Sequence, residues 1–274
     1  MKAKRIFIIL AMIMSVSGFA WYGIKTNLGN NSQLVKQKST SYQSISSNQL
    51  PKDIKLELEK ISNAQLSLNQ YHLTNITQIN VPEVDDFEIE TDTIEIYRSD
   101  KNLALKQDEL LKLQTKEIGL FIDKDQQLMV LMEPDEYYFD MLKNYNKYFS
   151  LDSLNLHISR SSIESIQQGE KILYIEFSEG ALFNMKIYYD ASNHTIKKII
   201  KEKRFYEDES ETEPIKVVQT TWLNYKPLDK KTAADFFDIN KFYSYKKGKY
   251  MPKNAYKDFQ FHNNTNKAIK KNLN

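Results

Sequence analysis

The chain has 274 residues, 38 basic and 36 acidic side chains, a formal charge of +2, only 7 glycines and no cysteine. Near-neutrality argues against a nucleic-acid binder. The lack of cysteine excludes disulfides, thiolate nucleophiles, Cys-ligated zinc and iron–sulfur clusters. With 41% hydrophobic and 27% charged residues, the chain can fold around a core as one large domain or two small ones.

Residues 1–24 begin Met-Lys-Ala-Lys-Arg and continue from Ile6 to Ile24 without a charge. A basic start followed by an apolar run is an export signal. Two versions fit. Gly18 and Ala20 are small residues two apart, which suits cleavage after Ala20 and makes residues 1–20 a signal peptide. Alternatively, residues 6–24 form an uncleaved inner-membrane anchor, with Trp21 and Tyr22 at the interface. Either version places the rest in the periplasm, outside the cytoplasm. Residues 25–50 are rich in Asn, Ser, Gln and Lys without periodicity and read as a flexible linker.

Pro51 opens a short amphipathic helix with Ile54, Leu56, Leu58 and Ile61. From Ala64 to Val81 the pattern shifts toward alternation and predicts a long strand ending at Pro82. Further strands are predicted around Thr93–Arg98, Asn102–Gln107, Glu117–Asp123 and Gln127–Met132. The last two form a hairpin turning through Asp123 to Gln126. A helix is predicted from Asp135 to Phe149, with Tyr138, Met141, Leu142, Tyr145, Tyr148 and Phe149 at helical spacing.

The strongest alternation follows. Leu173, Ile175 and Phe177 form one strand face, and Phe183, Met185, Ile187 and Tyr189 another. Thr195–Phe205 continues as a strand whose pattern breaks near Lys197 and Lys198, as a bulge would cause. Ile215–Tyr225 is the next strand, after an acidic loop at 207–213. Short connections make these runs an antiparallel meander, since parallel pairs would need crossover helices. Phe236, Phe237, Ile239 and Phe242 anchor a closing segment. A basic tail rich in Tyr, Lys and Asn occupies 246–274, so that the folded domain is read as 51–245.

No local motif supports catalysis. His72, His157, His194 and His262 lie in different elements without metal-ligand spacing, and no metal or other cofactor is implied. Asp123 and Asp125 do not continue as an EF-hand loop. Nucleophile elbows and phosphate-binding glycine loops are absent. A hydrolase using two carboxylates stays as a minor alternative.

The order of elements resembles the LolA/LolB-like family of periplasmic lipoprotein carriers. The resemblance rests on the helix Lys52–Ile61, the hairpin Gly119–Leu131 and the helix Asp135–Phe149. It continues through Leu173–Phe177, Met185–Asp190, Ile196–Ile200, the strand 215–225 and the closing segment Phe236–Phe242. It implies an α+β fold: a curved antiparallel β-sheet, a LolA-like half-barrel, with helices across the concave face. It also implies a noncatalytic envelope protein that binds or traffics a hydrophobic ligand, such as a lipid or lipoprotein acyl chain. Candidate lining residues are Leu173, Ile175, Phe177, Phe183, Met185, Ile187, Tyr138, Met141 and Tyr145. The same residues could fill a core instead, because core and lining have one composition. The alternative function is an inner-membrane-tethered scaffold or sensor with an envelope protein partner.

Overall fold

The computed structural model describes residues 51–84, 87–134, 158–166, 169–178, 181–205, 214–246 and 249–265. The predicted signal, linker, helix 135–149 and acidic loop 207–213 lie outside the described residues. Helix α1 spans Lys52–Ser67. Eleven strands follow: β1 Gln70–Asn80, β2 Glu90–Ser99, β3 Asn102–Gln107, β4 Leu110–Gln114, β5 Gly119–Asp123, β6 Leu128–Met132, β7 Ile158–Ser165, β8 Glu170–Phe177, β9 Leu182–Asp190, β10 Ile196–Phe205 and β11 Ile215–Pro227. Helix α2 covers Lys230–Phe236, and strands β12 Tyr243–Lys246, β13 Lys249–Pro252 and β14 Gln260–Asn264 close the described chain.

Twelve strands form one curved, unclosed sheet in the order β14-β6-β5-β4-β3-β2-β1-β11-β10-β9-β8-β7. It consists of two antiparallel meanders, β1–β6 and β7–β11, welded by the long pairing of β1 with β11 from Tyr71↔Pro227 to Asn80↔Val218. The only parallel contact among the described strands is β14 beside β6, with Phe261 opposite Met129. Tight turns connect the first meander. Asp100 and Asp108 take left-handed φ values of 52° and 48°, which a short polar side chain tolerates better than most.

Strand registers assign every side chain to one of two faces, since residues directly opposite each other share a face. Leu173 faces Ile187 and Ile175 faces Met185 across β8 and β9. Following the register through Ile199, Thr221, Leu73, Ile96 and Leu103 traces this front face over the sheet. Tyr97, Ala104, Leu113, Leu120 and Leu131 form the back face. The sheet therefore builds two cores on opposite sides. α1 packs Ile54, Leu58 and Ile61 on the front of β7–β10. α2 and the segments after it pack Ala233, Phe237, Phe242 and Tyr243 on the back of β3–β6. A third, smaller group, Leu73, Ile96 and Leu103, lies on the front at the weld.

Several boundaries differ from the sequence reading. α1 runs on to Ser67 where alternation suggested a strand from Ala64, because Leu58, Ile61 and Gln65 continue a helical stripe that is buried. β4 and β7 are additional strands. Residues 249–264, read from composition as tail, place Tyr250, Tyr256, Phe259 and Phe261 against the back core. The expected irregularity in β10 is present: the pairing slips between Ile196 and Lys198.

Candidate functional site

The front of β8–β10 gathers most of the predicted lining residues. Leu173, Ile175 and Ile187 are completely buried, and Met185 and Phe177 nearly so. They touch the inward stripe of α1, so these five side chains are brought together beneath one helix. Burial of one such side chain is worth roughly 1.5–3 kcal/mol, so the helix is held mainly by apolar contact. Phe183 does not join them. The pairing of β9 with β10 slips at Glu202/Lys203, and the Phe183 ring instead lies 3.3 Å from the guanidinium carbon of Arg204. Tyr138, Met141 and Tyr145 lie outside the described residues.

Polar groups fix the helix at both ends of its contact. Glu57, one turn before Ile61, is 5% exposed and faces the sheet. The Tyr189 hydroxyl donates to its Oε1 at 2.7 Å. Lys60 Nζ lies 3.3 Å from Oε2, and Lys171 Nζ and His194 Nε2 lie 3.5 and 3.4 Å from Oε1. Burial alone would raise the Glu57 pKa. Hydrogen bonds from Tyr189 and Lys60, with the charge of Lys171, outweigh it and hold the carboxyl below its ordinary value. Burial and the bond to Glu57 push the Tyr189 hydroxyl well upward. Farther along the helix, the Tyr225 hydroxyl donates to Gln65 Oε1. His194 sits in the β9–β10 turn with a left-handed φ of 58°, and its ring reaches Glu57 on the helix.

This arrangement is suited to holding a helix rather than to acid–base turnover. Among the described residues, the polar partners of the Glu57 carboxylate are donors or cations, whereas a hydrolytic pair needs a second carboxyl. Among the described residues no three metal-ligating side chains come together. Asp123 accepts a hydrogen bond from the Gln126 backbone at 2.9 Å, which is turn chemistry.

Sequence reasoning missed Glu57 and two lysines of the front face. Glu57 carried a signal: it sits at i−1 and i+3 to Leu58 and Ile54, inside the apolar stripe of α1. Lys201 and Lys203 lie on the same face as Ile199, because the slip after Ile196 resets the alternation. The back of β8–β10 is different in character. Lys198 Nζ lies 3.9 Å from the centre of the Tyr188 ring, and Tyr174 donates to Glu176 at 2.8 Å. Its aromatic rings are thus partly covered by the protein's own cations.

No family model and no curated protein matches the chain. Solved structures do. An uncharacterized conserved protein from Thermus thermophilus is similar over 77% of this chain and 99% of its own, at 9% identity and a TM-score of 0.36. A LolA superfamily protein from Nitrosomonas europaea is similar over 64% and 93%, at 11% identity and 0.27. A putative outer membrane lipoprotein-sorting protein domain from Vibrio parahaemolyticus is similar over 68% and 96%, at 8% identity and 0.28. The strand order and register given above, with the back-side α2 and the parallel β14, define this chain's fold.

Proposed function

We propose that this is a noncatalytic protein of the bacterial cell envelope that binds or moves a hydrophobic ligand, a lipid or lipoprotein acyl chain. One observation carries this reading. Among the described residues, the apolar strip Leu173, Ile175, Met185 and Ile187 on the front face is covered by one helix, α1, rather than by a second sheet. Separating α1 from the sheet breaks side-chain contacts but leaves the backbone ladder of β8–β11 intact. A ligand chain can replace the contacts of Ile54, Leu58 and Ile61, each buried methylene contributing about 0.8 kcal/mol. The apolar run from Ile6 to Ile24 behind a basic start supports export to the periplasm.

The test uses the full chain expressed with its own signal. Gentle isolation, native mass spectrometry and lipid extraction should reveal an adduct that is lost on extraction. A protein that never retains or binds lipid in any of these steps overturns the reading. A second reading, an inner-membrane-tethered scaffold or sensor, is favoured by the 19 uncharged residues from Ile6 to Ile24, enough to span a bilayer. An intact mass beginning at Trp21 rejects the tether; an uncleaved mass supports it.

A further inference from the structure

Strand β7 ends the twelve-strand order, and among the described residues no strand pairs with its outer edge. A free edge of this kind is a template for another strand. The pairing of β7 with β8 is regular from Ser165↔Lys171 back to Arg160↔Glu176, and its slip falls before Arg160. The turn continues this ladder, with the Ile166 N–H donating to the Glu170 carbonyl at 2.8 Å. Successive residues of an antiparallel strand aim their N–H and C=O groups to opposite sides. Ser161, Ile163 and Ser165 therefore turn theirs away from β8. The strand holds no Pro and no Lys that would blunt the edge.

The charges along this edge are self-complementary. Arg160 and Glu164 are exposed and lie on the back face, with Ser162 midway between them. At about 3.3 Å per residue they stand about 13 Å apart, too far to pair with each other. Among the described residues neither has an ion-pair partner. Glu176, opposite Arg160 on β8, accepts from the Tyr174 hydroxyl at 2.8 Å, and the Ser162 hydroxyl approaches Glu164 at 3.5 Å. A second copy laid antiparallel, with the two-fold axis at Ser162, satisfies both charges at once. Arg160 then faces the partner's Glu164, and Glu164 faces the partner's Arg160. Ser161 and Ile163, whose main-chain groups point outward, fall opposite the partner's Ile163 and the partner's Ser161 and exchange four hydrogen bonds. Ser162 meets the partner's Ser162 at the closely spaced position between them, where a small side chain lets the strands approach. Sliding the copies by two residues in either direction sets a charge opposite Ser162 instead.

We propose that the protein self-associates as a two-fold dimer through β7, with Arg160 and Glu164 as the reciprocal contacts that fix the register. The same patch serves on both copies, as a two-fold interface requires. The contact is one short strand a side, smaller than a permanent interface, so the dimer exchanges with the monomer.

Sedimentation velocity of the purified full chain over a dilution series should show a reversible monomer–dimer equilibrium. Arg160→Glu alone, or Glu164→Arg alone, sets like charges opposite each other at both contacts and should weaken the dimer roughly tenfold or more. An equimolar mixture of these two variants should associate again, because each chain supplies the charge that the other lacks. That recovery also shows that both variants fold. Ser162→Cys gives the chain its one thiol and should cross-link under mild oxidation, since directly opposite Cβ atoms lie about 4.5–5.5 Å apart. Ser165→Cys should not, because the proposed register leaves the two copies of that position about 20 Å apart. A chain that stays monomeric throughout the series overturns the proposal. So does a dimer that neither charge variant weakens, as one formed through the N-terminal apolar run would behave. A mixture that associates no better than its components, or equal cross-linking at positions 162 and 165, overturns it as well.

Discussion

The two cores of this sheet are built by different means. On the front, among the described residues, helix α1 lies over β7–β10 and is pinned by Glu57 and Gln65, two buried polar residues with hydroxyl partners on the sheet. On the back, α2, a 3-10 turn at Ile239–Lys241, the β12–β13 hairpin and β14 cover β3–β6. The rings there stack in series: His72 on Tyr97 at 4.3 Å, Tyr97 on Phe236 at 4.0 Å, and Phe236 edge-on to Phe237 at 5.3 Å. The back cover is thus several short elements tied together by aromatic contacts, and its last strand is hydrogen-bonded into the sheet itself. Among the described residues the front cover is α1, which contributes no strand to the sheet. Local opening follows the element with fewest ties, so the front cover should open before the back one.

The largest expected effects test this division at its centres. Leu120→Ala and Leu173→Ala each remove a fully buried side chain and should cost about 2–5 kcal/mol. The two losses should be read differently. Leu120→Ala should lower the urea midpoint of the whole transition. Leu173→Ala should in addition speed hydrogen exchange of the α1 amides more than those of β4–β6. Equal protection of α1 and β5 in the wild type would remove the distinction between cover and scaffold.

Next in size is the polar tie. Glu57→Ala leaves the buried Tyr189 hydroxyl without its acceptor and should cost about 1–3 kcal/mol. Because the folded carboxyl is held below its ordinary pKa, its contribution is complete above the unfolded value near 4.5. It is lost as pH falls through the lower folded value. Acid should therefore loosen α1 before the back core, as seen in α1 exchange rates or in Tyr fluorescence. In Glu57→Gln this acid step should vanish while most of the neutral-pH stability is retained, since the amide oxygen still accepts from Tyr189.

How much of this was legible beforehand follows the periodicity. β8, β9 and the β10 bulge could be read because Leu173, Ile175, Met185 and Ile187 alternate cleanly against polar neighbours. β7 escaped notice because Ser159, Ser161, Ser162 and Ser165 of an edge strand carry little hydrophobic pattern. β4 escaped because Leu110 and Leu111 are adjacent rather than alternate. The aromatic anchors of residues 249–264 are diluted by Lys and Asn, so composition alone reads as tail. Parity within a strand placed five of the candidate residues on one face. It could not divert Phe183 or bring in Lys201 and Lys203, since those depend on slips in pairing that only the partner strand defines. Nor could one strand's pattern reveal that the two helices lie on opposite faces, which is a property of register summed across twelve strands.

The smallest effects concern the helix starts, where the same contrast recurs. α2 begins at Asp229, whose side chain accepts from the Thr232 backbone at 2.9 Å. Asp229→Ala should cost about 1 kcal/mol, read from the thermal midpoint. α1 begins at Pro51, which offers no side-chain cap. Its carbonyl accepts the first intrahelical bond from Lys55 at 3.0 Å, but the remaining early N–H groups of the helix receive nothing from Pro51. Pro51→Asp would add a cap worth about 0.5–2 kcal/mol. It would also free the unfolded chain, a loss of about 0.4–1 kcal/mol. The net change in global stability should be only a few tenths of a kcal/mol, at the edge of what a denaturation curve resolves. The local change should be clearer, because the cap acts on α1 alone: exchange of the first-turn amides should slow two- to fivefold while β4–β6 stays unchanged. If α1 is the moving cover, the same substitution should also weaken binding of an uncharged amphiphile, since a better-held helix yields its place less readily. A variant with slower α1 exchange and unaltered amphiphile binding would show that the ligand enters without displacing α1.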